Sequence, residues 1–223
     1  MGLPDGYVGI NNVVTRYGRH VSLPSVVYKK WTNPAVIDVD AYLIAVVMAA
    51  AAGTTTWWAL DGTLTGVSCV AGICKPDVPR NVVITVTHGS SIIACAGVVA
   101  GTDVNDQAIT EAWTVAATGT STTWTGAKAF KTITSITAVV GADAHTNTIV
   151  IGTGKVLGLD IRASTTMKLL DYYDAAVSST ASALVAASIV ATADAIGTYT
   201  PYNTVQTGHT YEVAYLSVDP QDS

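Results

Sequence analysis

The sequence predicts an all-β protein: an antiparallel β-sandwich, immunoglobulin-like or jelly-roll-like, with an extended N-terminal arm. Three observations carry this. Short β-type runs recur between clusters of Gly, Asn and Asp, at a spacing that suits a sandwich or barrel. Several runs alternate with period 2, most clearly Val82, Ile84 and Val86 against Val83, Thr85 and Thr87. Thr and Val are abundant, and their β-branched side chains favour pleated surfaces. No stretch reads as a long helix.

Residues 1–36 read as the arm. Pro4, Pro24 and Pro34 prevent a long helix and favour extended chain. Tyr7, Tyr17, Tyr28 and Trp31 are the aromatic anchors of this arm and the candidate interaction residues. They pack either on the chain's own domain or on a neighbouring subunit. Residues 37–78 form a β-rich connecting segment packed on the core. Ile37, Val39, Tyr42, Ile44, Val46 and Val47 favour strand over helix, despite the alanines at 49–52. Asp61-Gly62 is a tight-turn signal. The connection 67–80 ends in Lys75-Pro-Asp-Val-Pro-Arg, a boundary before the main domain.

The sandwich domain spans residues 79–218. A strand follows Asn81, and His88-Gly89-Ser90 turns the chain. Ile92–Gly101 is the next strand, and Thr102–Asp106 is a polar turn. In Ala108–Ala117, Ile109, Glu111, Trp113 and Val115 share one face. Residues 119–126 read as a loop, and Ala129–Val139 as a strand with Phe130 and Ile136 on one parity and Ile133 on the other. Gly152-Thr-Gly154 reads as a hairpin connection between strands 145–151 and 155–161. Strands follow at 165–173, 181–192 and 210–218, with a loop at Gly197–Tyr202. Residues 219–223 are a solvated tail.

Charged residues make up 12% of the 223-residue chain, about half the usual fraction of roughly 25%. The surface is then covered largely by Thr and Ser hydroxyls, or it is buried against copies of the chain or a partner, since charge is depleted at interface cores. Net charge is −5, and the longest basic run is Lys29-Lys30, so there is no nucleic-acid footprint. The start lacks the basic and apolar regions of a secretory signal. The apolar run 42–52 is about half the length a bilayer-spanning helix needs, so no membrane partner is expected. Cys69, Cys74 and Cys95 make an odd count, against a secreted disulfide framework. Cys69 and Cys74 are buried thiols or a bridge across a hairpin. Zinc would need a fourth ligand.

No catalytic constellation emerges. His20, His88, His145 and His209 are scattered, without metal-ligand spacing. No Gly-x-Ser-x-Gly or Walker motif is present. Gly152-Thr-Gly154 lacks the third glycine and the following helix of a dinucleotide fingerprint. Asp38 with Asp40, and Asp103 with Asp106, are too few oxygens for Ca²⁺, and Asx-turn duty suits the second pair. Asp171 and Asp174, with Tyr172, Tyr173, Tyr199, Tyr202 and Trp124, form either core and interface packing or an aromatic sugar-binding surface. No cofactor or metal is expected, and the chain is not read as an enzyme.

Several segments together resemble a family of tailed-bacteriophage virion structural proteins, the capsid decoration or cement proteins. They are Pro79-Arg-Asn-Val-Val-Ile, Gly101-Thr-Asp-Val-Asn-Asp-Gln-Ala-Ile-Thr-Glu, Ala127-Lys-Ala-Phe-Lys-Thr-Ile-Thr-Ser-Ile, Gly152-Thr-Gly-Lys-Val-Leu-Gly-Leu and Gly197-Thr-Tyr-Thr-Pro. The resemblance spans roughly residues 79–216, and the family usually has Gly where this chain has Asp106. It implies a protein made in the host cytoplasm that binds the outer surface of a capsid. There it would contact the major capsid protein and copies of itself, as trimer or dimer, and stabilise capsomer contacts. Other virion roles (tail tube, baseplate or capsid subunit) and a carbohydrate-binding adhesin module are the alternatives. Deleting residues 1–30 is expected to leave a folded sandwich that attaches less well.

Overall fold

The computed structural model describes residues 12–14, 20–22, 25–48, 55–57, 60, 67–140, 147–177, 182–188, 194 and 196–217. Within them the chain is all-β, with antiparallel pairing throughout. Tyr7, Tyr17, His145, the alanines at 49–52 and the Asp61-Gly62 turn lie outside the described residues.

Three sheets make the body. The first contains β5 (Thr55–Trp57), β6 (Val67–Val70), β7 (Ile73–Pro76), β9 (Cys95–Thr102), β10 (Ala108–Val115) and β12 (Thr132–Val140). Its order is β10-β9-β12-β7-β6, with β5 also on β12. The second contains β4 (Leu43–Val47), β8 (Arg80–Thr87), β11 (Ser121–Thr125), β13 (Thr148–Gly158), β16 (Ala183–Ala186) and β17 (Gly197–Thr200). Its order is β11-β8-β13-β17-β16, with β4 also on β13. The third contains β3 (Ser25–Thr32), β14 (Lys168–Tyr173), β15 (Ala176–Val177) and β18 (Thr210–Ser217), in the order β15-β14-β18-β3. A separate hairpin joins β1 (Asn12–Val14) to β2 (His20–Ser22).

Two cores result. The larger lies between the first and second sheets. It holds Val82, Ile84 and Val86 from β8 and Ile149 and Ile151 from β13, as period-2 alternation requires, together with Val99, Trp113, Ile133 and Ile136. The smaller lies under the third sheet. Trp31, Tyr211, Val213 and Tyr215 meet Leu157, Leu184 and Tyr199 there. The Trp31 and Tyr199 rings stack with centroids 5.4 Å apart. β13 serves both cores. Residues 148–153 pair with β8, and Leu157 and Gly158 pair with β17.

Gly152-Thr-Gly154 is therefore not a hairpin, because β13 runs straight through it. The glycines are there for close approach. A Cβ on Gly152 would lie 2.2 Å from the Asp38 carbonyl oxygen, and one on Gly154 would lie 2.2 Å from Asn81 Oδ1. Beside them β13 shifts register against β8. Buried Asn81 fills that irregularity: its Oδ1 accepts from the Val156 N–H at 3.0 Å, and its Nδ2 donates to Gly126 O at 2.8 Å.

Three other elements differ from the sequence reading. Residues 119–126 contain a strand, β11, whose Thr-rich run pairs with β8. Gly197–Thr200 is β17 instead of a loop. In β12 both Ile133 and Ile136 face the core, because the register shifts between Ile133 and Ser135. The arm is also shorter than expected. β3 pairs along its whole length with β18, from Ser25↔Ser217 to Thr32↔Thr210. Deleting residues 1–30 would take most of β3 out of the third sheet, so a truncation that spares the fold must stop before Ser25.

Cys69 and Cys74 face each other across β6–β7 and form a disulfide, whereas Cys95 is free and buried. Burial pushes the Cys95 thiol up to about 11.

Candidate interaction surface

The third sheet has an inner face that builds the smaller core and an outer face that builds nothing within the described residues. On β3 the side chains of Val27, Lys29 and Trp31 point inward, and those of Val26, Tyr28, Lys30 and Thr32 point outward. The antiparallel register sets the outer face in rows. Val26 lies beside Leu216. Tyr28 lies beside Ala214, which lies beside Leu170. Lys30 lies beside Glu212, which lies beside Tyr172. The first two rows are apolar. Val26 is 50% exposed, Tyr28 54% and Leu170 48%, and Met167, just before β14, is 54% exposed. The third row is charged, with Lys30 Nζ 2.8 Å from Glu212.

The polar atoms at the border are already engaged. The Tyr28 hydroxyl donates to Glu212, and that bond, with partial burial and the nearby carboxylate, pushes the phenol up to about 12. Lys30 and Tyr28 together hold the Glu212 carboxyl below its ordinary value. Lys29, on the inward parity, pairs with half-exposed Asp160. It also sits 5.7 Å from the Trp31 ring centroid.

The expected interaction residues therefore separate. Tyr28 lies on the exposed face. Trp31, only 3% exposed, is a core residue stacked on Tyr199 and not a free anchor. The outward parity of β3 was hidden in the sequence by Lys29-Lys30, which interrupt the apolar alternation, and by prolines on both flanks.

The polar clusters that might carry chemistry are occupied in holding the fold. Asp103 Oδ1 accepts from the N–H groups of Asn105 and Gln107 at 2.8 and 2.9 Å, an Asx turn. Asp38 accepts from the Asp40 N–H at 3.3 Å in a non-strand segment, so the pair does not share a strand face. Burial pushes the Asp171 carboxyl up, but Ser182, Lys168 and Tyr199 outweigh it and hold the group low. All three bond to it, with Tyr199 OH donating at 2.7 Å and Lys168 Nζ 2.9 Å away. Asp174 pairs with His209 at 2.6 Å and is likewise held low. Tyr199 belongs to the smaller core, while Trp124 packs on the larger one. Tyr173 also packs on the smaller core, so Tyr173 and Tyr199 are brought together there while Trp124 stands apart from them. Among the described residues no group of three or more His, Cys, Asp or Glu could hold a metal ion.

The outer faces of the larger sandwich are paved with threonine. Thr85 and Thr123 share a hydroxyl bond of 3.0 Å across β8 and β11, and Thr102 and Thr132 one of 2.7 Å across β9 and β12. These faces lie where the low charged fraction places them, on hydroxyl-covered sheet.

No family model, no curated protein and no solved structure matches this chain.

Proposed function

We propose that the chain is a structural virion protein that decorates the outside of a tailed-phage capsid and stabilises contacts between capsomers. The carrying observation is the outer face of the third sheet, where Val26, Tyr28 and Leu170 are about half exposed. An apolar patch rimmed by paired charges is the surface character of a docking site. The occupant under this reading is the major capsid protein. Many copies, each docking through a modest patch, would add up by multivalency. The sequence resemblance supplies the biological setting; the chain's own surface supplies a place to dock.

The test is attachment to shells that lack the protein. Leu170→Asp puts a charge at the end of the second apolar row without touching either core. It should lower occupancy on shells at least about tenfold, the effect of burying one unpaired charge at an interface. Undiminished occupancy would remove this face from the mechanism. Finding the chain in tails instead of the shell would sink the decoration role.

A further inference from the structure

We infer that β3 is the seam of a two-fold dimer, pairing antiparallel with β3 of a second copy so that two four-stranded sheets become one. β3 is the outermost strand of its sheet: it pairs with β18 along eight consecutive residues, and no strand pairs with its other edge among the described residues. The β1–β2 hairpin just ahead of it pairs only within itself there. A free edge offers a row of N–H and C=O groups that another strand can satisfy.

Soluble proteins commonly guard such edges with bulges, prolines or solvated lysines. β3 keeps an unbroken register with β18, with no bulge. Its two lysines are both ion-paired within the chain, Lys29 with Asp160 and half-exposed Lys30 with Glu212. The strand therefore approaches a copy of itself with its charges already neutralised. β4, another strand at a sheet margin, shows the contrast. It is uncharged, but its register against β13 shifts between Ile149 and Ile151, which bends it away from regular pairing.

The chemistry also selects a register. Faces match only if each residue meets one of its own parity. Centring the two-fold on Lys29 would set two like charges directly opposite, which is unfavourable. Centring it on Val27 would pair only Ser25 to Lys29 of the strand, a shorter ladder than centring on Tyr28 allows, which pairs Ser25 to Trp31. Centring it on Tyr28 pairs Tyr28 with its own copy, Val26 with Lys30, and Val27 with Lys29. That arrangement offsets the lysines and leaves an aromatic pair on the axis. The outer apolar rows of the two copies then form one wider patch.

The inference is independent of the shell reading, because it is measured on the free full-length protein. Sedimentation velocity across a dilution series should show a dimer, and Tyr28→Lys should raise its dissociation constant at least about tenfold by opposing two lysines on the axis. Oxidised Tyr28→Cys should give a covalent dimer on a non-reducing gel and Val26→Cys should not, since Cys95 is buried and the other two cysteines are already joined. A monomer at every concentration, or a dimer indifferent to Tyr28→Lys, overturns the inference. So does cross-linking through Val26→Cys but not Tyr28→Cys. If the free protein is monomeric and Tyr28→Lys loses only shell binding, Tyr28 acts through the exposed face alone and the second-copy inference fails. Leu170→Asp, two strands from the seam, should leave the dimer intact and so separates the two proposals.

Discussion

Asp106 shows how a single residue can report the backbone beneath it. It sits in the polar turn after β9 with φ of 62°, the left-handed region in which L-residues are strained and glycine is not. Asp106 offsets the strain with an ion pair to Lys131 at 2.7 Å, but both side chains are largely exposed, and such pairs contribute little. Asp106→Gly should therefore raise stability by about 0.5 kcal/mol, once the added freedom of the unfolded chain is subtracted. The midpoint of urea unfolding checks this. A lower midpoint would mean that the ion pair outweighs the strain. The neighbouring Asp103 does the opposite work. It caps two N–H groups while buried, so its loss would leave donors unpaired.

At the scale of an element, the connection from β11 to β12 is held by side chains instead of by a sheet. Glu111 accepts from the N–H groups of Ala127 at 2.6 Å and Lys128 at 3.2 Å. Asp194 accepts from Ala129 at 2.9 Å, and Gly126 and Phe130 donate to Val82 and Arg80 carbonyls. Each N–H from Gly126 to Phe130 thus has an acceptor, as a buried connection requires. Burial pushes the Glu111 carboxyl above its ordinary 4.5, and the N–H donors and Lys128 only partly counter it. Because the folded value is raised, the Glu111 contribution to stability is fully present below about pH 4.5 and is lost as pH rises through the folded value. Glu111→Gln should remove that slope from a plot of unfolding free energy against pH. A slope unchanged by the substitution would assign it to another group. None of this was legible in the sequence, where Glu111 stands as one more alternating position of a strand. The alternation itself was legible: Val82, Ile84 and Val86, and Trp113 and Val115, face the core as their parity predicts. What stayed hidden were elements shaped by long-range partners. β11 carries almost no apolar alternation, and β17 is an edge-length Gly-Thr-Tyr-Thr run. The glycines of β13 signal a turn locally but serve close packing against Asp38 and Asn81. The exposed face was half legible, through Tyr28 but not Trp31, because burial of an arm residue depends on where β18 lies, some 180 residues later.

At the scale of the whole molecule the question is whether two cores make one cooperative unit. β13 crosses from one to the other, and Asn81 and Asp194 tie the chain on both sides of the crossing. Arg80, fully buried at the start of β8, holds the Ala35 carbonyl at 2.7 Å and Asp77 at 2.9 Å, joining the segment after β3 to the larger sandwich. Opening the smaller core should therefore expose unpaired polar groups in the larger one, which is costly. That predicts a single transition. Leu184→Ala, in the smaller core on β16, should cost about 2–4 kcal/mol for the lost methyls and the cavity. Native-state hydrogen exchange then decides the outcome. If the molecule is one unit, the protection of Val86 and Ile151 in the larger core falls by the same free energy as that of Leu157 and Tyr199 in the smaller. If only Leu157 and Tyr199 lose protection, the cores open independently, and the shared strand is a connection without being a coupler.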